Sequence, residues 1–185
     1  MTRWRTAWQR GWRAALAIAL CVAAPQAGAD FCGRVTTVHD GDTVTVLADR
    51  VARRVRLVGI DAPERGQPYG SAARRQLAAR IGGRDVTVVE RGTDSYGRTL
   101  GRVLVAGADA NAAQVRDGYA WVFRRFENDA ALVALEDEAK AARRGLWRDA
   151  EPVPPWLWRE RHPRPPAAPG APAATTATVP PQERR

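Results

Sequence analysis

The chain has little cysteine and lysine, and it has no apolar run long enough to span a membrane. Its two cysteines are Cys21 and Cys32, and Cys21 lies in a predicted leader. The single cysteine outside that leader cannot form an internal disulfide, so an apolar core must stabilise the fold. Lys140 is the single lysine among 29 basic residues, so arginine supplies nearly all of the positive charge. No internal repeat is visible in the sequence.

The first 29 residues have the pattern of a secretory signal peptide. Four arginines precede an apolar run over 14–24, and Ala27-Gly28-Ala29 forms a cleavage site before Asp30. This apolar run is too short to cross a bilayer as a helix, which requires about 20 residues. An uncleaved N-terminal anchor is the alternative. We expect a periplasmic or secreted protein with no stable membrane insertion after cleavage.

The chain is basic, and its formal net charge of +9 falls to +5 if the four leader arginines are removed. A basic surface concentrates polyanions and speeds their capture. Charge alone fits a nucleic acid, an anionic lipid, or an arginine-rich composition with no specific partner.

Alternating apolar and polar residues predict five strands, and helical periodicity predicts three helices. Asp40-Gly41 indicates a hairpin turn, and Pro63 ends the third strand because proline cannot donate to a strand ladder. The predicted strands are 33–40, 43–47, 51–60, 85–90 and 100–106, and the predicted helices are 71–81, 111–117 and a segment between Asp129 and Gly145. An opening three-strand meander with helices between and after predicts an α+β fold, a five-stranded OB barrel with three flanking helices.

The composition predicts three regions: a signal peptide over 1–29, a barrel domain over 30–150 and a tail over 151–185. The tail is rich in proline, alanine and arginine, and beyond about residue 162 it cannot bury enough apolar surface to become ordered. Trp156 and Trp158 follow Pro154-Pro155. We expect these two tryptophans to pack back onto the barrel.

Two aspartates are candidate metal ligands: Asp42 in Asp-Gly-Asp-Thr, and Asp61 in Arg-Leu-Val-Gly-Ile-Asp-Ala-Pro-Glu. Calcium takes six to eight oxygen ligands at about 2.3–2.6 Å, from carboxylates, backbone carbonyls and water. Two carboxylates would leave positions for a phosphate and a water molecule. Asp-Gly-Asp-Thr also reads as a simple polar turn, and Asp40 is better explained as a turn residue than as a ligand.

Glu64, Arg56 and Arg98 complete a possible set for phosphodiester hydrolysis. A carboxylate beside a cation can accept a proton from water, which makes Glu64 the candidate base. A guanidinium group can donate two parallel hydrogen bonds to phosphate oxygens and stabilise the negative charge that develops on them in the transition state. This is the role considered for Arg56 and Arg98. Alternatively, Glu64 is a surface residue of a loop and the arginines are solvated.

Strand alternation does not bring Arg56 and Asp61 together, because it places them on opposite faces of the third strand. Asp61 either lies beyond the regular strand or is re-aimed by a bulge at Gly59.

Three motifs in register, Asp-Gly-Asp-Thr, Arg-Leu-Val-Gly-Ile-Asp-Ala-Pro-Glu and Thr-Asp-Ser-Tyr-Gly-Arg-Thr-Leu-Gly-Arg, resemble the staphylococcal nuclease (thermonuclease) family from about Gly33 to Trp147. The resemblance implies an OB barrel with three helices and a calcium-dependent phosphodiesterase that acts on DNA and RNA. It implies calcium ligation by Asp42, Asp61 and the backbone carbonyl of Ala62. It further implies that Glu64 is the base, that Arg56 and Arg98 hold the phosphate, and that the products end in 3′-phosphate.

The resemblance also implies substrate-binding residues and shows three departures from the prototype. Tyr96 matches a tyrosine that bonds a terminal phosphate of the nucleotide. Ala62 replaces a threonine, and a ligand that uses its backbone carbonyl survives this change. The loop after Glu64 is shorter, and Arg124 and Phe126 lie near the positions of two tyrosines that cradle the base. Phe126 could stack on a base or pack in the core, and Arg124 could stack or contact phosphate.

These features predict a calcium-dependent endonuclease that acts as a monomer on DNA and RNA, with single-stranded or locally open substrates favoured. The alternative is an OB module that binds single strands without cutting them. A third reading, a membrane-surface or cell-wall protein, rests on composition alone.

Overall fold

The computed structural model describes residues 29–124 and 129–163. The strands are β1 Phe31–Val38, β2 Thr43–Ala48, β3 Val51–Leu57, β4 Ile60–Asp61, β5 Asp85–Thr93, β6 Thr99–Val105, β7 Ala108–Asp109 and β8 Trp121–Val122. The helices are α1 Gly70–Ile81, α2 Ala110–Arg116, α3 Ala130–Ala141 and α4 Pro155–Arg161, with a 3₁₀ helix over Gly145–Arg148. The predicted signal peptide, apart from Ala29, lies outside the described residues, and so do Phe126 and the tail beyond Pro163.

Five strands close into a barrel in the order β3-β2-β1-β5-β6. The closure is a parallel pairing of β3 with β6, in which Arg56 lies opposite Leu100, while the other pairings between neighbouring barrel strands are antiparallel. Valines at alternating positions point inward and are buried, including Val44, Val46, Val55 and Val88. The predicted OB-type barrel is confirmed.

The flanking helices α1, α2 and α3 form where periodicity predicts them. α1 buries Ala73, Leu77 and Ile81, the predicted apolar stripe. The side chains of Asp109 and Asp129 accept hydrogen bonds from backbone N–H groups at the starts of α2 and α3. The described residues contain a fourth helix, α4, that the periodicity did not predict.

The predicted third strand, 51–60, is two elements. β3 ends at Leu57, and Gly59 adopts a φ of 79°, a left-handed conformation that ordinary strands exclude. β4 then leaves the barrel and pairs with β8, with Asp61 opposite Trp121. Asp61 therefore lies beyond the regular strand, which was one of the two solutions open from the sequence.

The segment after the 3₁₀ helix returns to the barrel domain through aromatic contacts. The ring of Trp156 lies 6.4 Å from the ring of Trp121 and 6.0 Å from that of Phe123, measured between centroids. Trp121 is buried and also contacts Trp147. Trp156 therefore packs back onto the domain, through the β8 segment rather than the five barrel strands, whereas Trp158 stacks on His162, the residue that follows α4. Among the described residues, no helix has the length and apolar character to cross a membrane.

Candidate active site

The turn between β1 and β2 presents Asp42. Asp40 Oδ1 accepts a hydrogen bond from Asp42 N at 3.1 Å, so Asp40 closes the turn as predicted. A Cβ atom on Gly41 would lie 2.6 Å from Ala62 Cβ and 2.7 Å from Ala73 Cβ. Glycine therefore lets the turn approach both the second motif and α1 closely.

Asp42 and Asp61 are buried and lie side by side. Their exposed fractions are 1% and 0%. Asp42 Oδ2 accepts the N–H of Ala62 at 2.6 Å, which joins the first motif to the second. Arg56 donates through Nη1 to Asp42 and through Nη2 to Asp61 Oδ1, the latter at 2.7 Å. The structure thus brings Arg56 and Asp61 together, although strand alternation places them on opposite faces, and it joins Asp42 to both.

This donor set fits a hard divalent cation. Two carboxylates and the adjacent Ala62 carbonyl are oxygen ligands of the kind calcium takes, with water supplying the remaining positions. Buried carboxylates also require positive partners, a role that Arg56 fills here. The described residues contain no cluster of three or more histidine, cysteine, aspartate or glutamate side chains placed to hold a metal. A cation here would therefore rely on the two carboxylates with backbone and water oxygens.

Glu64 begins a compact loop that Gln67 organises from within. Gln67 is buried and accepts the N–H of Glu64 on Oε1 at 2.9 Å, and its own N–H donates to the Glu64 carbonyl at 3.0 Å. Its Nε2 donates to the carbonyl of Val153 at 2.7 Å. Gln67 therefore holds the candidate base against the segment that leads into α4. No sequence pattern indicates this role, because the contact with Val153 spans 86 positions.

Arg159 of α4 is the site residue that the sequence analysis missed. Its Nη2 donates to Asp61 Oδ2 at 2.8 Å, and its Nη1 donates to Asp61 Oδ1 at 3.1 Å and to Glu64 Oε1 at 2.9 Å. The hydrogen bonds that Arg159 donates to Asp61 raise the pKa of Arg159; burial opposes this rise, and the contact with Glu64 adds to it. The one sequence signal was the pair of tryptophans that suggested a return to the barrel.

Arg98 lies beside the site but bonds within its own loop. The pairing of β6 with β3 sets Thr99 opposite Val55, so Arg98 enters next to the strand that carries Arg56. Its Nε donates to Asp94 Oδ2 at 2.7 Å, which leaves its Nη groups as the donors for a phosphate. Burial raises the pKa of Asp94, but hydrogen bonds from the N–H and side chain of Arg98 outweigh it and lower that pKa.

The predicted substrate-binding residues have different surroundings. Tyr96 is 84% exposed, and the Arg98 guanidinium lies 5.5 Å from its ring centroid. Arg124 donates to Glu136 at 2.8 Å, while Phe126 lies outside the described residues. Tyr96 is thus open to a ligand, whereas Arg124 is paired with a carboxylate of α3.

His39 borders an open groove of about 440 Å³ that is lined by His39, Asp40, Arg54, Glu64 and Arg65. The His39 ring forms a hydrogen bond with Thr45 Oγ1 at 2.8 Å. Burial lowers the pKa of His39, and the charge of Arg54 lowers it further. The lining of the groove beside the candidate base therefore includes two arginines, Arg54 and Arg65, and two carboxylates, Asp40 and Glu64.

The barrel and its converging carboxylates and guanidinium groups define a class, a nuclease built on an OB-type fold. The model of the family described as staphylococcal nuclease homologue matches residues 54–149, more than half of the chain. The chain belongs to the staphylococcal nuclease family. The match includes Arg56, Asp61, Glu64 and Arg98, but it begins after Asp42 and ends before Arg159.

Relatives agree with this assignment over most of their own length. The chain is 46% identical over 138 residues to a protein named uncharacterized endonuclease from Escherichia coli O157:H7, covering 74% of this chain and 90% of the relative. It is 44% identical over 156 residues to a micrococcal nuclease of Shigella flexneri, covering 78% and 89%. It is 46% identical over 157 residues to Protein ParB of Escherichia coli, covering 78% and 88%. The protein is a hydrolase of the nuclease type.

Proposed function

We propose that this protein is a calcium-dependent endonuclease that hydrolyses the phosphodiester bonds of DNA and RNA and gives 3′-phosphate ends. The observation that carries the proposal is the bridge by Arg56 between the buried carboxylates of Asp42 and Asp61, with Glu64 linked to the same cluster through Arg159. Asp42, Asp61 and the Ala62 carbonyl would hold the cation, which supplies charge neutralisation at the phosphate.

The protein's own residues divide the remaining work. Glu64 accepts a proton from the attacking water at a carboxylate oxygen. Arg56 and Arg98 donate hydrogen bonds to phosphate oxygens and stabilise the charge that develops on them. Water oxygen bonds to phosphorus in line as the bond to the 5′ oxygen breaks, and that oxygen takes up a proton. Phosphate then remains on the 3′ side and a hydroxyl on the 5′ side.

Sequence features support the rest of the proposal. The leader supports a periplasmic or secreted protein, and the OB barrel supports a preference for single-stranded or locally open substrate. Exposed Tyr96 would contact a terminal phosphate, and Arg124 and Phe126 would contact the bases or backbone. We propose that the protein acts as a monomer.

The test is the cutting of circular single-stranded DNA by residues 30–185, in calcium and in excess chelator. A circle has no ends, so any cut is internal. We expect cutting in calcium alone, and we expect Glu64→Gln to lower the rate by about 10²- to 10⁴-fold because general base catalysis contributes about that much. Glu160→Gln is the matched control, since Glu160 is an exposed carboxylate of α4. Product ends that polymerase extends only after phosphatase treatment would identify 3′-phosphate.

A folded wild-type protein that binds the circle but does not cut it in calcium would contradict the proposal. That outcome would support the alternative, a non-catalytic OB module that binds single strands. Equal cutting by wild type and Glu64→Gln would leave the nuclease in place and remove Glu64 as its base.

A further inference from the structure

Arg159 engages the oxygens that the proposed chemistry requires. Both carboxylate oxygens of Asp61 accept hydrogen bonds from Arg159, and Asp61 Oδ1 also accepts one from Arg56. The guanidinium of Arg159 also bonds Glu64 Oε1. One side chain therefore links the candidate metal ligand to the candidate base.

Contacts independent of this arginine fix α4 to the domain. Pro155 is buried at its first turn, and the ring of Trp156 stacks on Phe123 and meets the edge of Trp121. Gln67 holds the carbonyl of Val153 just before the helix. Residues three apart share a helix face, so the face that anchors Trp156 also directs Arg159 at Asp61.

We propose that Arg159 is a built-in competitor of the cation and that α4 is an autoinhibitory strap across the active site. The inference rests on the proposed function, because it assumes that Asp61 ligates calcium. A cation would need Asp61 oxygen at about 2.3–2.6 Å, where Arg159 now donates at 2.8 and 3.1 Å. A divalent cation and a guanidinium also repel each other.

The same contact restrains the candidate base. The hydrogen bond from Arg159 occupies one acceptor site of Glu64 Oε1 and ties the carboxylate to α4, so it restricts where Glu64 can meet the attacking water. Arg159 must therefore release Asp61 before the site can bind its cation, and its departure also releases Glu64 Oε1. Because the coupling is reciprocal, calcium weakens the hold of Arg159 by the factor by which Arg159 weakens calcium binding. The strap α4 and its Arg159 lie outside the region that matches the family model, which ends at residue 149.

Calorimetric titration of calcium into residues 30–185 tests the competition directly. Arg159→Gln should lower the dissociation constant of calcium by about 5- to 150-fold, the usual range of coupling between two sites. Arg161→Gln is the matched control, since it removes the same charge from an exposed position two residues away on α4, and it should leave the constant within about twofold of wild type.

The outcomes separate this inference from the function beneath it. Equal calcium affinity in wild type, Arg159→Gln and Arg161→Gln would overturn the strap and leave the calcium enzyme standing. In Arg159→Gln, both oxygens of Asp61 are released from Arg159. If this variant binds no calcium, the proposed calcium site is wrong, and the proposed strap is wrong with it.

Thermal unfolding supplies a second readout, which is the calcium dependence of the stability loss. An arginine that only stabilises the fold would give the same loss with and without calcium. In chelator, Arg159→Gln should unfold at a lower temperature than wild type, because buried Asp61 loses two hydrogen bonds. In saturating calcium, which takes over the neutralisation of Asp61, the difference should shrink or reverse. An equal loss in both conditions would show that Arg159 only stabilises the fold, and would overturn the strap.

Discussion

Asp42 and Asp61 show why the site depends on its arginines. A carboxylate removed from water loses several kcal/mol of solvation, and a nearby guanidinium must offset that cost. Asp61 has two such partners, Arg56 and Arg159, whereas the ion pair of Asp42 is with Arg56, supplemented by hydrogen bonds from Thr43 and the Ala62 N–H. Arg56 is therefore the residue on which the electrostatics of both carboxylates depend.

Replacing Arg56 should destabilise the protein when no cation is present. We expect Arg56→Gln to lower the free energy of unfolding by about 3–5 kcal/mol in chelator, because loss of one partner leaves a buried charge uncompensated. Calcium should restore part of the loss by neutralising the same carboxylates. Urea unfolding with and without calcium measures both effects, with Arg34→Gln, an exposed arginine of β1, as the control. A loss under about 0.5 kcal/mol, the range of ordinary surface changes, would contradict this account.

At the scale of elements, the break after β3 aims the second motif at the first. Gly59 turns the chain out of the barrel, and the carbonyl of Gly59 accepts the N–H of Phe123, next to β8. Buried Asn111 of α2 fastens the same break, since its side chain donates to the carbonyl of Val58 at 2.8 Å. The break is thus held from two sides, and Asp61 follows it directly.

Substitution of Gly59 should harm the site more than the fold. Gly59→Ala places a Cβ atom at a φ of 79° and should cost about 1–2 kcal/mol of stability. Gly107→Ala is the matched control, because Gly107 has a φ of 78° in the turn between β6 and β7, with nothing near its missing Cβ. We expect similar losses of stability in urea unfolding, while only Gly59→Ala weakens calcium binding in calorimetry. Equal calcium affinity in both variants would show that the break does not aim Asp61.

The same elements show how far the sequence can be read. Alternation locates the barrel strands, Asp129 locates the start of α3, and Gly59 indicates an irregularity in the third strand. These features are local, so neighbouring residues report them. The placement of Arg159 is not local: 98 positions separate it from Asp61, and it depends on ring contacts of Trp156 that no periodicity encodes. Spacing alone could not have joined α4 to the site.

At the scale of the whole molecule, the barrel is a carrier that gathers residues from five separate segments. Asp42 comes from a turn, Arg56 from β3, Asp61 from β4, Glu64 from a loop and Arg159 from α4. Each segment packs against the barrel or against a neighbouring segment, so the domain holds the site residues in fixed positions. The groove extends from Glu64 to His39, and Arg54 and Arg65 in its lining can contact the phosphates of a strand that reaches this site.

Binding of a polynucleotide should therefore weaken steeply with salt. Each phosphate neutralised by arginine releases counterions, so log K should fall against log salt by about 0.7 per contact on a single strand. Fluorescence anisotropy with the Glu64→Gln protein in calcium measures this slope, and adding Arg65→Gln should weaken binding and reduce the slope by about 0.7. Arg148→Gln, an exposed arginine of the 3₁₀ helix, removes the same charge away from the groove and should leave the slope unchanged. If the two arginine variants lower the slope equally, net charge alone draws the strand, and the groove does not direct it to Glu64.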